Sequence, residues 1–474
     1  MTLRAQIDLA GRAAEVLRGE MGPERVVTSG PAFDAARTIW NGAVAHRPGV
    51  VVRCGQPGDA QAAVQVARDL ALPLSVRGGG HDWAGRALTE GGLTLEMGGL
   101  RQVSIDPVAM IARVGGGATA ADVATAAREH GLVAVTGTAG AVGMVGLSLA
   151  GGYGPLSGRF GLAVDNVLSV DLVLADGSAV TADPEHEPDL FWALRGGGGN
   201  FGVVTAMNIR LHRVPTLLAG MIMYPWVQAP SALAALADVL LDGPDELTVQ
   251  TGIVTGPGGD PVLFLAPAWS GEADQAERAL ASLAALGEPV MAQLGPTELA
   301  ELLASTDGMF PFGRHIEIRP RTLPGLTPSA RSALLAGGDA LTSPLSAVSL
   351  HSLHGAAARI PASATAFGNR TAHLVAETIA VWEPGDEAAS RHRGWARGLS
   401  AALAPEALPG GYPNLLAADE TDQITHAYGP NTTRLLDIKR RYDPDVLFRA
   451  TPLPAAGTDD ARGTDGNDGA ADAG

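Results

Sequence analysis

Short hydrophobic runs alternate with amphipathic segments from about residue 48 to residue 214. The run VVVRC at 50–54 is followed by GDAQAAVQVARDLAL, in which apolar residues recur at helical spacing and Asp59 is a suitable N-cap. The strand LPLSVRGGG ends in glycines, and Asp176-Gly177 suits the turn of a hairpin. This region is therefore predicted to alternate short strands with helices.

The pattern changes between about 216 and 408, where LTVQTGIV and AHLVAETIAVW are longer and mostly alternate polar with apolar residues. Amphipathic helices such as QAERALASLAALG lie between these strands. An antiparallel sheet backed by helices is the simplest packing, and the fold class is therefore α+β. The predicted parts are an N-terminal helical segment (1–30), a cofactor domain (31–215), a substrate domain (216–408), a closing segment that returns to the cofactor domain (409–454) and a disordered acidic tail (455–474).

Composition and charge narrow the possible partners. The chain has 474 residues and a formal net charge of -17, which argues against nucleic acid or an anionic membrane as the main partner. Cys54 is the only cysteine, and no stretch has the length and hydropathy of a signal peptide or a membrane span. We expect a soluble cytoplasmic protein, a monomer or homodimer. Lys439, the only lysine, lies in the charged stretch RLLDIKRRYD and is predicted to be solvated.

Four glycine-rich segments stand out in the first half of the chain. They are RGGGHDWAG (77–85), VGGG (114–117), VGMVGLSLAGGYG (142–154) and LRGGGGNFG (194–202). Without a Cβ, backbone amides can line an anion or lie flat on a ring system, so this clustering predicts a large, flat, phosphorylated cofactor. The glycine spacing does not match the dinucleotide fingerprint, which disfavours a Rossmann NAD site.

His81 follows three glycines at a strand end, beside Asp82 and Trp83. A rigidly held imidazole nitrogen is nucleophilic enough to be alkylated by an electrophilic cofactor methyl group. The alternative is a loop histidine that bonds only to the backbone. A metal ligand would need companions, and no His/Asp/Glu spacing near His81 supplies them, so no metal is expected.

In order along the chain, RPGVVVRC, VRGGGHDWAG, VGGGATAADV, GTAGAVGMVGLSLAGGYGPLSGRFGLAVDNV and DLFWALRGGGGNFGVVT resemble the FAD-binding domain of the berberine bridge enzyme-like oxidoreductases, within the vanillyl-alcohol oxidase superfamily. GYPNLL and RLLDIKRRYDPDVLF are similar to the closing segment of that family. The resemblance implies a two-subdomain, PCMH-type FAD-binding domain and a variable substrate domain.

The resemblance also implies roles for individual residues, with His81 bonded to the flavin 8-methyl carbon. The other implied cofactor contacts are Arg77, Gly78, Gly79, Gly80, Asp82 and Gly85 in the pyrophosphate loop, Gly143, Gly146, Gly151, Gly152, Tyr153 and Gly154 in the second flavin loop, Leu162, Asp165 and Asn166 near the adenosine, Gly202 and Val203 on the strand that closes that side, and Tyr412 and Asn414 at the pyrimidine edge.

Two positions depart from the family pattern, and a third bears on the access of oxygen. Ala139 stands where many relatives attach the flavin a second time through cysteine, so the histidyl bond alone is expected. Leu415 replaces a tyrosine that can serve as base in relatives, which leaves Tyr412 as the nearest candidate. Val142 falls where relatives gate oxygen access, and a small residue there favours oxidase behaviour.

His315 and Glu317 are further candidates for the catalytic base. They lie two residues apart in RHIEIRP, so a strand would direct both side chains to one face, and that face could cover the flavin. The alternative is a surface-facing polar stripe that Arg319 continues.

Taken together, these features predict an FAD-dependent oxidase that acts on an alcohol, amine or activated C–H centre of a sugar or secondary metabolite. Oxygen would be the electron acceptor. A redox-silent flavin-binding protein and a flavin-dependent, non-redox cyclase remain as alternatives.

Overall fold

A computed structural model describes residues 3–455 of the chain. The predicted acidic tail lies outside the described residues, apart from its first residue. None of the described helices is both long and apolar enough to cross a bilayer.

The strands are β1 (Val26–Val27), β2 (Val50–Arg53), β3 (Leu74–Arg77), β4 (Leu93–Glu96), β5 (Val103–Asp106), β6 (Ile111–Gly115), β7 (Val133–Ala134), β8 (Val167–Val173), β9 (Ala179–Ala182), β10 (Val203–His212), β11 (Leu218–Pro225), β12 (Leu247–Thr255), β13 (Pro261–Trp269), β14 (Met291–Pro296), β15 (His315–Leu323), β16 (Ala347–Leu353) and β17 (His373–Trp382).

The α-helices are α1 (Leu3–Met21), α2 (Pro31–Ala36), α3 (Pro57–Asp69), α4 (Ala120–Arg128), α5 (Met144–Ala150), α6 (Ser157–Phe160), α7 (Pro188–Leu194), α8 (Ala229–Asp242), α9 (Ala273–Ala284), α10 (Leu299–Met309), α11 (Pro328–Asp339), α12 (Ala356–Arg359), α13 (Ala389–Leu403), α14 (Thr421–His426) and α15 (Thr432–Tyr442). Short 3-10 helices are Ala163–Asn166, Trp226–Gln228, Ala362–Ala364, Ala404–Glu406 and Gly429–Asn431.

The first sheet has four strands in the order β1-β2-β4-β3, and β4 runs parallel to both β2 and β3. Helices α1 and α3 pack on it and share its apolar core. The sequence placed the N-cap of α3 at Asp59, but Gln56 holds that position. Asp59 is the third helical residue, and its carboxylate accepts the backbone N–H of Gln56, which completes a capping box.

The second sheet is antiparallel, in the order β5-β6-β10-β8-β9, with β7 paired to β10. The predicted hairpin around Asp176-Gly177 is confirmed, because β8 pairs with β9 and Gly177 adopts a positive φ of 85°. Helices α4, α5, α7 and α15 contribute buried residues to the core on one face of this sheet.

The third sheet has seven strands in the order β14-β11-β13-β12-β16-β17-β15, all antiparallel. Helices α8, α9, α11 and α13 cover one of its faces and bury a large apolar core. The predicted α+β fold, with an antiparallel sheet backed by helices, is confirmed. The opposite face of this sheet looks toward the first two sheets.

The C-terminal segment is attached through a buried ion pair. The Lys439 ammonium donates to the carbonyls of Asn200 (2.7 Å) and Phe448 (2.8 Å) and to Asp443 Oδ2 (2.5 Å), and Lys439 is only 5% exposed. The prediction that Lys439 is solvated is therefore wrong. The sequence of α15 shows that this residue is charged. It does not show that the helix face carrying Lys439 packs on the 194–202 loop.

We predict that Lys439→Met lowers the free energy of unfolding by about 3–5 kcal/mol, because it leaves the Asp443 carboxylate buried without its cation. Chemical denaturation of the full chain measures this change. Arg440→Met is the matched control, because Arg440 pairs with Asp437 at 2.9 Å while both side chains are more than half exposed. Equal losses in the two variants would contradict the predicted role of the buried pair.

Candidate active site

A cavity of about 650 Å³ lies between the three sheets. One wall is formed by the loop after β3, which contains His81, and by the loop that leads into α5. The inner face of the seven-stranded sheet forms the opposite wall, and the segment 412–415 closes one side. Residues 448–451 line the cavity together with Gly199 and Gly202. Elements from every predicted part of the described chain except the N-terminal helical segment therefore meet at this cavity.

Two glycine-rich loops touch backbone to backbone at the cavity wall. A Cβ built on Gly79 would lie 2.3 Å from the peptide nitrogen of Gly143, a distance that no side chain tolerates. Gly146 behaves differently, because a Cβ there would meet nothing within 4 Å although the residue lines the cavity. Gly79 and Gly143 allow the close approach of the loops, whereas Gly146 leaves open space for a ligand.

The His81 imidazole lines the cavity and is neutral at physiological pH. Burial lowers its pKa to about 4, although hydrogen bonding to its own backbone and the nearby Asp82 carboxylate both favour the charged form. A neutral imidazole keeps a lone pair on one ring nitrogen, which is the form that acts as a nucleophile. The ring is stacked on Trp40, with centroids 4.3 Å apart.

The C-terminal segment is bonded to both glycine-rich loops. Arg86 forms an ion pair with Asp82 (2.5 Å) and donates to the carbonyl of Asn414 (2.8 Å). Asn414 Nδ2 donates to the carbonyl of Gly146 (3.2 Å), and Trp83 Nε1 donates to the carbonyl of Leu415 (3.0 Å). Four contacts thus hold the edge of the cavity in one arrangement.

Tyr412 was the nearest sequence candidate for the base, and the structure gives it a different character. Its hydroxyl accepts the backbone N–H of Gly152 (2.9 Å), and burial raises its pKa to about 12. The neighbouring Tyr153 is also hydrogen-bonded within the protein. Because His373 Nδ1 donates to the carbonyl of Thr371 (2.6 Å), His373 Nε2 carries the lone pair and accepts the hydrogen bond of the Tyr153 hydroxyl (2.8 Å). Tyr412 is therefore a neutral hydrogen-bond donor, rather than a ready proton acceptor.

Glu377 on β17 directs a carboxyl group into the cavity. Its Oε1 lies 3.4 Å from His351 Nε2 on β16, and burial raises the pKa of Glu377 to about 7. Ser349 Oγ is 3.0 Å from the same His351 nitrogen and accepts a hydrogen bond from Gln250 Nε2 (2.9 Å). Burial lowers the pKa of His351 to about 4. These groups form a polar row across β12, β16 and β17.

The structure does not place His315 and Glu317 at the cavity. Side chains alternate along β15, so Ile318 lines the cavity while Glu317 points to the helix-covered face. There the Glu317 carboxylate accepts hydrogen bonds from Arg319 (2.7 Å) and Arg397 (2.8 Å). His315 packs against Trp382 instead. The prediction that this pair faces the flavin is wrong. The alternative of a surface-facing stripe is wrong as well, because Glu317 and Arg319 are only 8% and 7% exposed.

Many of the residues predicted to contact the cofactor do line the cavity. They are Gly78, Gly79, Gly80, His81, Asp82, Ala139, Val142, Gly143, Gly146, Tyr153, Gly154, Gly202, Tyr412 and Asn414. The others, which lie behind the cavity wall, are Arg77, Gly85, Gly151, Gly152, Leu162, Asp165, Asn166 and Val203.

The second group supports the wall through bonds to other elements. Arg370 binds both Asp165 oxygens (2.7 and 2.9 Å), so the predicted adenosine turn is tied to the substrate domain. Asn166 Oδ1 lies 2.7 Å from His212 Nε2, and Gly85 packs on Val44. These residues are bonded to or packed on other parts of the protein and do not line the cavity.

The polar row of Glu377, His351, Ser349 and Gln250 was missed by sequence reasoning. His351 is one of several polar residues of the substrate domain, and nothing in the sequence pattern singles it out. The segment HLVAETIAVW carries one acidic residue on an otherwise apolar strand, and that isolated charge was the available signal. Which face of the strand it occupies became visible only in the sheet.

The chain is similar to known proteins along most of its length. Residues 48–183 match the family model described as an FAD binding domain, and residues 411–452 match the model described as berberine and berberine like. The chain is 32% identical over 440 residues to (R)-6-hydroxynicotine oxidase of Paenarthrobacter nicotinovorans. The aligned region covers 88% of this chain and 93% of that protein.

Two solved structures show the same architecture. The crystal structure of 6-hydroxy-D-nicotine oxidase from Arthrobacter nicotinovorans has a TM-score of 0.82 and 30% identity, and covers 91% of this chain and 97% of that one. Glucooligosaccharide oxidase from Acremonium strictum, with 23% identity, has a TM-score of 0.79 and covers 91% and 97% of the two chains.

The fold and the glycine-lined cavity define an FAD-binding oxidoreductase. The chain belongs to the berberine bridge enzyme-like family of FAD-linked oxidoreductases, as the sequence predicted. The cavity suits FAD on structural grounds, because glycines of both loops line it and Gly146 leaves open space that a side chain would occupy.

We predict that Gly146→Leu abolishes FAD retention without lowering the stability of the apoprotein, because its Cβ would meet no protein atom within 4 Å and the side chain would occupy cavity space. Flavin absorbance of the purified protein and thermal unfolding of the apoprotein measure the two effects. Gly398→Leu is the control, since Gly398 is also helical and has open space around it, but lies outside the cavity. A variant that stays fully yellow would contradict this interpretation of the open space.

Proposed function

We propose that this protein is an FAD-dependent oxidase that holds its flavin through a single covalent bond to His81. The observation that carries the proposal is a neutral, stacked imidazole on the wall of a glycine-lined cavity. Bound FAD would accept two electrons from a small-molecule substrate and pass them to O2, giving hydrogen peroxide.

Two further observations support this linkage. Glucooligosaccharide oxidase from Acremonium strictum carries a 6-S-cysteinyl, 8α-N1-histidyl FAD. In the present chain Ala139 lines the cavity where such a cysteine would stand, and Cys54 is buried in the core of the first sheet. His81 therefore has no cysteine partner, and we propose one bond.

Glu377 is the group that we assign as the catalytic base. Its carboxyl lies in the cavity, and its pKa of about 7 makes it a stronger proton acceptor than an ordinary carboxylate. Tyr412 would remain protonated and donate a hydrogen bond that orients the substrate. In this assignment Glu377 takes a proton from an O–H or N–H group of the substrate, and His351 lies in position to share that proton.

The lining of the cavity also limits the substrate. No Lys or Arg of residues 216–408 lines it, and its sheet face presents apolar side chains that include Met221, Met223, Phe264 and Ile379. An anionic substrate would find no cation on that face. Within the predicted range of substrates, we propose a compact, mainly apolar alcohol or amine, and not an oligosaccharide. Val142 lines the cavity as well, and we propose that it leaves access for O2.

His81→Ala is expected to leave no acid-stable flavin, whereas the wild-type protein keeps yellow colour and in-gel fluorescence after acid precipitation. His212→Ala is a matched control, because His212 is likewise stacked on an aromatic ring (Phe160, 4.0 Å) and likewise has a pKa lowered to about 4, but it lies outside the cavity. A wild-type precipitate without flavin would contradict the covalent linkage.

The rate of anaerobic flavin reduction should rise with pH through about 7 and then level off, because the Glu377 carboxyl must lose its proton to act as the base.

A panel of heterocyclic amines including 6-hydroxynicotine, aromatic alcohols and oligosaccharides would first identify a substrate. Glu377→Gln should then slow reduction by about 10²- to 10⁴-fold. Glu317→Gln is the control, and a loss confined to that variant would favour the base suggested by the sequence. Absence of peroxide with every compound would contradict oxidase function.

A further inference from the structure

The His81 ring lies against two aromatic side chains that have no part in the proposed bond itself. The Trp40 indole is stacked on the imidazole, with ring centroids 4.3 Å apart and an interplanar angle of 17°. Phe312 meets the same ring edge-on, with centroids 6.0 Å apart and an angle of 87°. Both contacts limit rotation of the imidazole about its Cβ–Cγ bond.

Trp40 is itself held by three hydrogen bonds. Its peptide N–H donates to the carbonyl of Gly80 (2.8 Å), and its indole Nε1 donates to the carbonyl of Phe310 (2.8 Å). Its own carbonyl accepts the N–H of Gly313 (3.1 Å). Trp40 is only 6% exposed, so the indole is a fixed plane that connects the His81 loop to the 310–313 segment of the substrate domain.

Arg77 holds the same arrangement from behind the cavity wall. Its guanidinium donates twice to the carbonyl of Thr38, at 2.8 and 3.1 Å, and once to Glu96 at 3.3 Å. The end of β3, which carries the His81 loop, is therefore tied to the segment that carries Trp40. Residues far apart in the chain are combined to fix one ring.

We infer that Trp40, assisted by Phe312, is a positioning residue for the attachment of FAD to His81; this inference rests on the proposed function. In that attachment one C–H bond of the flavin 8-methyl group and the imidazole N–H bond break, and one N–C bond forms. The two electrons released pass to O2, which leaves with the two protons as hydrogen peroxide. The protein contributes a neutral imidazole whose lone pair has one direction.

Orientation matters here because the attacking nitrogen and the methyl carbon must be aligned at close range. A freely rotating imidazole would seldom present its lone pair to that carbon, whereas a stacked imidazole is limited to few orientations. Loss of the indole plane should therefore slow bond formation while leaving the glycine-lined cavity able to bind FAD. That separation distinguishes positioning from a general structural role.

The test uses the full-length chain produced in a riboflavin-limited host and then supplied with FAD. Acid-stable fluorescence followed over time gives the attachment rate, and quenching of flavin fluorescence immediately after mixing gives the non-covalent affinity. Trp40→Leu is expected to slow attachment about tenfold or more without weakening the initial binding. Trp40→Phe retains a stacking plane and should restore most of the rate.

Trp395→Leu is the matched control, because Trp395 is 7% exposed and donates one indole hydrogen bond to a backbone carbonyl (Gly337, 2.9 Å), but lies outside the cavity. If Trp40→Leu attaches FAD as fast as Trp395→Leu, the inference is overturned while the His81 linkage stands. A wild-type chain without acid-stable flavin overturns both. Should Trp40→Leu fail to fold, Phe312→Leu tests the same inference, because Phe312 is 41% exposed. Slower attachment of FAD in Phe312→Leu supports the positioning role, and an unchanged attachment rate overturns the inference.

Discussion

The active site depends on the direct contact of two backbones. Gly79, in the loop after β3, lies against Gly143, in the loop that leads into α5, at a distance where either Cβ would collide with the other chain segment. This contact joins the first and second sheets along one seam. It places His81 two residues beyond this contact and leaves Gly146 open to the cavity, so the His81 loop and the open part of the cavity have fixed relative positions.

The C-terminal segment adds a further wall to the cavity that the two glycine-rich loops line. Polar contacts through Asp82, Arg86 and Asn414 attach it to both glycine-rich loops, and Lys439 anchors its far end to the 194–202 loop. The bonds of Arg86 and Lys439 lie in partly or fully buried surroundings, where a lost partner is costly. A segment near the end of the chain thereby becomes a wall of the site, and it contains the residues 411–452 that match the berberine and berberine like model.

Side chains alternate between the two faces of the seven-stranded sheet, and this alternation places Glu317 and Glu377 in different surroundings. On β15 the Glu317 carboxylate faces the helices and is neutralised by Arg319 and Arg397, whereas Ile318 faces the cavity. On β17 the Glu377 side chain faces the cavity, where burial raises its pKa and no arginine of residues 3–455 forms an ion pair with it. A carboxyl neutralised by arginine stabilises the lobe, while one without such a partner is suited to accept protons. The proposed chemistry follows from this difference in surroundings.

Local patterns in the sequence were enough to predict the fold class and the glycine-rich loops, because both depend on residues that are close together along the chain. The family and the candidate role of His81 came from the resemblance of ordered motifs to the berberine bridge enzyme-like proteins. The choice between Glu317 and Glu377 needed the tertiary structure, because a period of two shows that residues share a face but not which face meets the cavity. The same holds for the burial of Lys439 and for the stack of Trp40 on His81, since both depend on partners far away in the chain. Packing between distant segments decides which charged and aromatic groups lose water, and that loss sets their chemistry.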